Sequence, residues 1–157
     1  MNSPEKPTRV CSGKRSAPVD PAVYDRGYFL SECEGYEEFT TSAGQVLSRR
    51  LATALASADV QPGMRVLDVG CGRGESLVWL CRRGATAWGV DYSGEALRIA
   101  KGTITGSSGE VQSRCLALSA NAKALPFPTG SFDRVLMLDL VEHLHPWEVQ
   151  LALHEVH

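Results

Sequence analysis

The stretch Val66-Leu67-Asp68-Val69-Gly70-Cys71-Gly72-Arg73-Gly74 governs the reading of this chain. Residues 65–69 form a short apolar run, as expected of a buried strand, and the glycines at 70, 72 and 74 stop it. Glycine permits positive φ and lets the backbone approach a ligand closely. A helix expected over Ser76–Arg83 then presents its amino terminus to whatever binds. The carboxylate two residues before the turn selects the ligand. A dinucleotide site offers free N–H groups to a pyrophosphate, and Asp68 would repel that anion. Asp68 suits instead a cationic ligand carrying an ammonium and a sulfonium.

Outward from the turn, strands and helices alternate. Leu77, Leu80 and Cys81 give the first helix its inward face, and Gly84 stops it. Residues 85–90 read as a second strand. Ser93 caps the next helix, Glu95 suits its first turn, and it runs to about Lys101. Gly102–Gly109 reads as a flexible loop, with further strands near residues 114–118 and 134–138. Pro146 opens a last helix with Val149, Leu153 and Val156 on one face. On the amino-terminal side a helix is expected from Ser42. Leu47, Leu51 and Leu55 recur on one face, Val46, Ala54 and Ala58 widen it, and Pro62-Gly63 ends it. Tyr24, Tyr28, Phe29, Tyr36 and Phe39 crowd residues 21–40, which suggests a short ordered segment packed on something else. Residues 1–20, rich in Pro, Ser and charge, read as a disordered leader. Strands separated by helices imply a parallel sheet with right-handed crossovers.

The 157 residues suffice for one domain, and 43% hydrophobic with 22% charged residues excludes wholesale disorder. With 16 Lys+Arg against 18 Asp+Glu, the net charge of −2 gives no electrostatic case for nucleic-acid binding. No apolar run approaches the ~20 residues that span a bilayer. Lys6, Arg9, Lys14 and Arg15 precede no apolar stretch, so no secretory signal is expected. Five cysteines without a C-x-x-C pair argue against a disulfide framework or zinc site and for a reducing cytoplasm. Four strands and about four helices make a thin α/β architecture. The helix at His157 looks unfinished, so a fragment or a minimal domain is expected.

Two further motifs carry chemistry. Gly89-Val90-Asp91-Tyr92-Ser93 ends the second strand in another carboxylate, placed to pair with two ribose hydroxyls; the plainer alternative is an acid preceding a helix. In Ser119–Pro128 a polar side chain after the third strand can meet an adenine edge, with Ala122 or Leu125 on its face. Past the fourth strand stand Asp139, Glu142, His143 and His145. Of these His143 suits a general base near neutral pH, although polar residues there often only cap a helix. Tyr24 and Tyr28 read either as a lid or as core packing. Cys71 stands near a helix amino terminus, where a thiol pKa can fall, or simply fits a tight space. The histidines show no H-E-x-x-H framework, and no metal is expected.

Taken together, VLDVGCGRGES, GVDYS and NAKALPFPTGSFDRVLMLDLVEHL resemble a class I S-adenosylmethionine-dependent methyltransferase of the small-molecule type, over roughly residues 39–157. The resemblance implies an α/β, Rossmann-like, doubly wound and mostly parallel sheet, incomplete at about four of seven strands, with the cofactor across the carboxyl ends of the first strands. It implies that Asp68, Gly70, Cys71, Gly72 and Gly74 surround the methionine portion and that Asp91 holds the ribose. Tyr92 and Ala122 would flank the adenine, and Asp139 would stand beside the cofactor. Asn121 sits where the family commonly has Asp for the adenine amino group; an amide oxygen still accepts, without charge assistance. The implied division is 1–20 leader, 21–60 aromatic segment and helix, and 61–157 cofactor-binding part. S-adenosyl-L-methionine is the cofactor expected and a small molecule the methyl acceptor, with no nucleic acid and no membrane. Beyond residue 157 the family continues into further strands that help wall the acceptor pocket. A non-catalytic S-adenosylmethionine-binding fragment and an NAD(P)-dependent oxidoreductase are the competing functions. Oligomeric state stays open, and an unpaired edge beside the fourth strand would invite association.

Overall fold

The structure, a computed structural model, describes residues 17–157. Its strands are β1 (Arg65–Val69), β2 (Thr86–Asp91), β3 (Cys115–Ser119) and β4 (Arg134–Leu136). They pair in parallel in the order β3-β2-β1-β4. The α-helices are α1 (Tyr36–Ser42), α2 (Arg49–Ser57), α3 (Glu75–Arg82), α4 (Gly94–Thr105), α5 (Gly109–Gln112) and α6 (Pro146–Glu155). This is the expected α/β, Rossmann-like parallel sheet. No helix among the described residues is long and apolar enough to cross a membrane.

Side chains alternate across the sheet and build a core on each face. Val66, Ala87, Ala117 and Leu136 pack with Leu77, Leu80 and Leu97 of α3 and α4 on one side. Leu67, Val69 and Val90 meet Trp88, Phe127 and Phe132 on the other. From β1 the chain moves outward through β2 to β3, then returns across β1 to β4. That reversal opens a crevice over the carboxyl ends of the strands, where open α/β sheets bind ligands.

Several local expectations are corrected. No helix begins at Ser42: α1 ends there, because Ala43 and Gly44 turn left-handed at φ 52° and 75°. α2 starts anew behind Ser48, whose Oγ accepts the Leu51 N–H. Leu55 is buried on its inner face, but Val46 lies outside the helix and is 57% exposed. The loop expected from Gly102 is instead the last turn of α4, since burial of Thr103 and Ile104 outweighs the helix-weakening glycine. α5 follows, capped by Ser108. β4 stops at Leu136. α6 opens at Pro146 as read, yet it buries Glu148 and Ala152 and leaves Leu153 exposed. Of the expected leader, residues 1–16 lie outside the described residues. Within 17–20, Asp20 caps a short 3-10 helix (Pro21–Val23).

Gly89 is fixed by contact rather than by backbone angle. A Cβ on this β2 residue would lie 2.6 Å from Leu77 Cδ1 and 2.8 Å from Cys71 Cβ. Gly89→Ala should therefore cost about 1–3 kcal/mol in urea unfolding, the usual penalty of overpacking. A loss within about 0.5 kcal/mol would show that the glycine turn can move off β2.

Candidate functional site

The crevice holds about 1150 Å³ of empty space, counting the part open to solvent. Its floor is the turn after β1, its sides are Asp91-Tyr92 and residues 120–123, and Leu138–Leu140 and His143 stand opposite. Tyr24, Tyr28 and Phe29 close over it from the amino-terminal segment.

The turn is bound to β2 through its own amides. Gly70 N and Cys71 N both donate to the Val90 carbonyl, at 2.8 and 3.0 Å. Gly72 N donates to Asp91 Oδ2 at 3.0 Å, and Gly74 N donates to the Cys71 carbonyl at 2.9 Å. Four amides of the turn, those of Gly70, Cys71, Gly72 and Gly74, are thus engaged within the protein. Asp91 takes a second backbone donor, Ser93 N, on Oδ1 at 2.9 Å. Each of its oxygens keeps a lone pair for a donor from the crevice. Burial pushes the Asp91 carboxyl up, while the Ser93 and Gly72 N–H groups act against that shift.

Asp68 lies beneath the turn, at 2% exposure. Ser76 Oγ donates to its Oδ2 at 2.5 Å, whereas Oδ1 is buried without a hydrogen-bond partner. Burial chiefly pushes this carboxyl up to about 7; Asp91, Glu75 and Asp139 add to the shift and Ser76 opposes it. A buried oxygen without a donor is costly unless a ligand supplies one. At Gly72 an added Cβ would meet only the Phe29 ring edge at 3.8 Å, so the missing side chain leaves room above the turn. An unpartnered Asp68 oxygen, the open lone pairs of Asp91 and a Cβ-free floor suit a cofactor with a cationic amino-acid end and a diol.

Other expected residues separate. Tyr92 lines the crevice, and its ring lies 5.8 Å from that of Tyr24; burial pushes both phenols up. Ala122 lines it too. Asn121 does so as well, though its Oδ1 already accepts the Lys123 N–H at 3.0 Å and shapes its own loop. Lys123 ties that loop to α6 through a 2.6 Å ion pair with buried Glu148. Gly74 does not line the crevice: a Cβ there would meet Ala100 Cβ at 3.0 Å, so it serves the packing of α3 on α4. Cys71 contributes backbone, while its thiol packs in the core. Burial, then Asp68 and Asp91, push that thiol well up rather than down. Asp139, at φ 55°, does line the crevice, but Arg50 chelates both its oxygens and also binds Glu34.

His143 stands between two tyrosines. Its Nε2 is 3.4 Å from the Tyr28 hydroxyl, and its ring meets that of Tyr24 edge-on at 5.5 Å. Burial pushes Tyr28 up to about 12, so this phenol keeps its proton. The His145 ring donates from Nε2 to the Ala17 carbonyl, outside the crevice lining. Among the described residues no cluster of three or more metal-ligating side chains occurs.

Sequence reasoning missed Arg73. This guanidinium is 5% exposed, within the glycine turn itself. It donates to the carbonyls of Phe29 and Glu34 at 3.1 and 2.8 Å, pairs with Glu75 at 2.6 Å and lies over the Phe39 ring. It thereby clamps the aromatic segment onto the turn. The only sequence signal was an arginine inside a glycine turn with an acid two residues on. Arg73→Ala should cost about 3–5 kcal/mol by leaving Glu75 buried and unpaired, and should expose residues 21–42 to limited proteolysis. An unchanged cleavage pattern would show that the segment is held by its rings alone.

Comparison with known proteins fits this geometry. Residues 66–157 match the family described as methyltransferase domain. Methyltransferase GfsG of Streptomyces halstedii is 34% identical over 103 residues, 65% of this chain and 35% of that protein. The 27-O-demethylrifamycin SV methyltransferase of Amycolatopsis mediterranei is 33% identical over 121 residues, 75% of this chain and 40% of that protein. The chain thus spans well under half the length of these relatives. Among solved structures, magnesium protoporphyrin IX methyltransferase from Synechocystis PCC 6803, with bound SAM, superposes with a TM-score of 0.59 at 21% identity. That match covers 90% of this chain and 72% of the other and shows a shared fold.

Proposed function

We infer the activity from one premise: the chain belongs to the methyltransferase-domain family. We propose that the whole protein transfers a methyl group from S-adenosylmethionine to a small organic acceptor. Residues 61–157 would form the cofactor-binding part and 21–60 a segment packed over it. The observation that carries this reading is the pair of carboxylates, Asp68 and Asp91, near the ends of adjacent strands beside a turn whose Gly70, Cys71 and Gly72 amides are engaged. An oxidoreductase would need those amides for a pyrophosphate. A purely binding role uses the same crevice and differs only in turnover. The small-molecule acceptor follows the relatives, one of which is named for 27-O-demethylrifamycin SV. A reducing, cytoplasmic setting suits the free cysteines.

When bound, the cofactor supplies a methyl carbon activated by its sulfonium. The residues of this chain hold and align. Asp68 Oδ1 accepts from the ammonium end and Asp91 from the ribose hydroxyls. Tyr92 and Ala122 flank the adenine, with Asn121 at its edge. Such positioning is worth ~7–11 kcal/mol of barrier. His143 Nε2 takes the proton of an acceptor O–H or N–H, and the Tyr28 oxygen 3.4 Å away then accepts from the imidazolium.

Calorimetric titration with S-adenosylhomocysteine tests the reading. Binding should occur, and Asp91→Ala should weaken it by about 1–3 kcal/mol; unchanged affinity would remove Asp91 from the ribose. Binding of NADH with none of S-adenosylhomocysteine would overturn the assignment.

Asp68 adds a pH signature. With its folded pKa raised to about 7, its contribution to stability without ligand is full below about pH 4 and is lost as pH rises through about 7. Ligand binding runs the other way, because an ammonium favours the ionised carboxylate. Affinity for S-adenosylhomocysteine should therefore rise between about pH 6 and 8 with proton release. Asp68→Asn should flatten that slope, and an equally steep slope in the variant would place the titration elsewhere.

A further inference from the structure

We propose that Cys81 and Cys115 form a redox-active dithiol, which a low-molecular-weight disulfide converts into an internal disulfide stapling α3 to β3. Cys81 lies one residue before the end of α3, and Cys115 is the first residue of β3. Their sulfurs are 2.8 Å apart, inside ordinary van der Waals contact. The thiols also reach carbonyls, Cys81 that of Arg114 at 3.3 Å and Cys115 that of Leu77 at 3.4 Å, so both are held in place. A disulfide bond of about 2.05 Å needs the sulfurs to close by less than an ångström. Cys81 is buried and Cys115 partly exposed, so a small oxidant reaches the pair from the Cys115 side.

The chemistry balances. One thiolate of the pair attacks one sulfur of R–S–S–R and expels R–S⁻, leaving a mixed disulfide on that cysteine. The other thiolate then attacks the protein sulfur of the mixed disulfide and expels the second R–S⁻. Two protein thiols have lost two electrons and two protons, which appear as two R–SH. In a reducing compartment the bond would form only transiently, as protein disulfides there do. α3 runs back toward the edge of the sheet where β3 begins. The pair therefore sits at the end of the fold opposite the crevice, and its effect falls on stability.

The test treats the full chain with cystamine, then alkylates free thiols and maps peptides without reduction. The expected product is one linked pair, Cys81 with Cys115, with no cysteamine retained there. Its melting temperature should rise by roughly 8–15 °C, as expected for a loop of this length, and dithiothreitol should reverse the shift. A stable cysteamine adduct on Cys115 with Cys81 still alkylated would overturn the pairing, and a linked pair without a gain in melting temperature would overturn the staple. Cys115→Ser should lose the response to cystamine. If that variant does not fold, the wild-type peptide map decides alone.

Discussion

The amides of the turn after β1 are hydrogen-bonded to the strand beside it, and the character of the site follows from that. Parallel pairing sets Val69 opposite Val90, so the Val90 carbonyl receives both Gly70 N and Cys71 N, and Asp91 one residue on receives Gly72 N. A glycine-rich turn after a strand often works as an anion cradle, with N–H groups aimed at phosphate. Here the same backbone shape points donors at the protein's own acceptors. What faces the ligand is carboxylate, and the preference moves from anion to cation and diol.

The charges around the crevice sharpen this. Glu75 is answered by Arg73, Glu34 and Asp139 by Arg50, and Glu148 by Lys123. Lys123 and the His145 N–H hold Glu148 below the ordinary carboxylate range although burial alone would raise it. Asp68 and Asp91 are in no ion pair among the described residues and accept only from Ser76 and from backbone N–H groups. Both are pushed up by burial. Buried acids that a fold leaves without a cation mark functional sites more often than packing accidents. Asp68 and Asp91, near the carboxyl ends of β1 and β2, line the crevice without a cation.

Features carried by short-range chemistry were legible in the sequence. β1, the Ser93 cap and the Pro146 helix start each rest on residues within a few positions of one another, and the structure has all three. Features set by tertiary packing were not. Gly102 stays helical because Thr103 and Ile104 are buried by elements distant in sequence. Arg73 carries no local signal beyond its place in the glycine turn, and only the fold shows that Phe29, Glu34 and Phe39 surround it. Asp68 was read as the right residue type for a cationic ligand, yet its depth and its unpartnered oxygen depend on where Ser76 and β2 come to lie. The sulfurs of Cys81 and Cys115 meet only because α3 packs across β3, and no spacing rule signals such a pair.

An unmet hydrogen bond on a buried carboxylate costs about 1–3 kcal/mol, a sizeable part of the 5–15 kcal/mol that typically holds a domain together. That cost lies under the floor of the crevice, near well-satisfied pairs such as Arg73–Glu75 and Lys123–Glu148. A ligand that donates to Asp68 Oδ1 recovers the deficit on binding, and binding to the folded state alone then stabilises the chain by mass action. Replacing Asp68 with an apolar side chain would remove the cost and the recognition together. Poor local stability at that atom is therefore what a binding site of this kind requires.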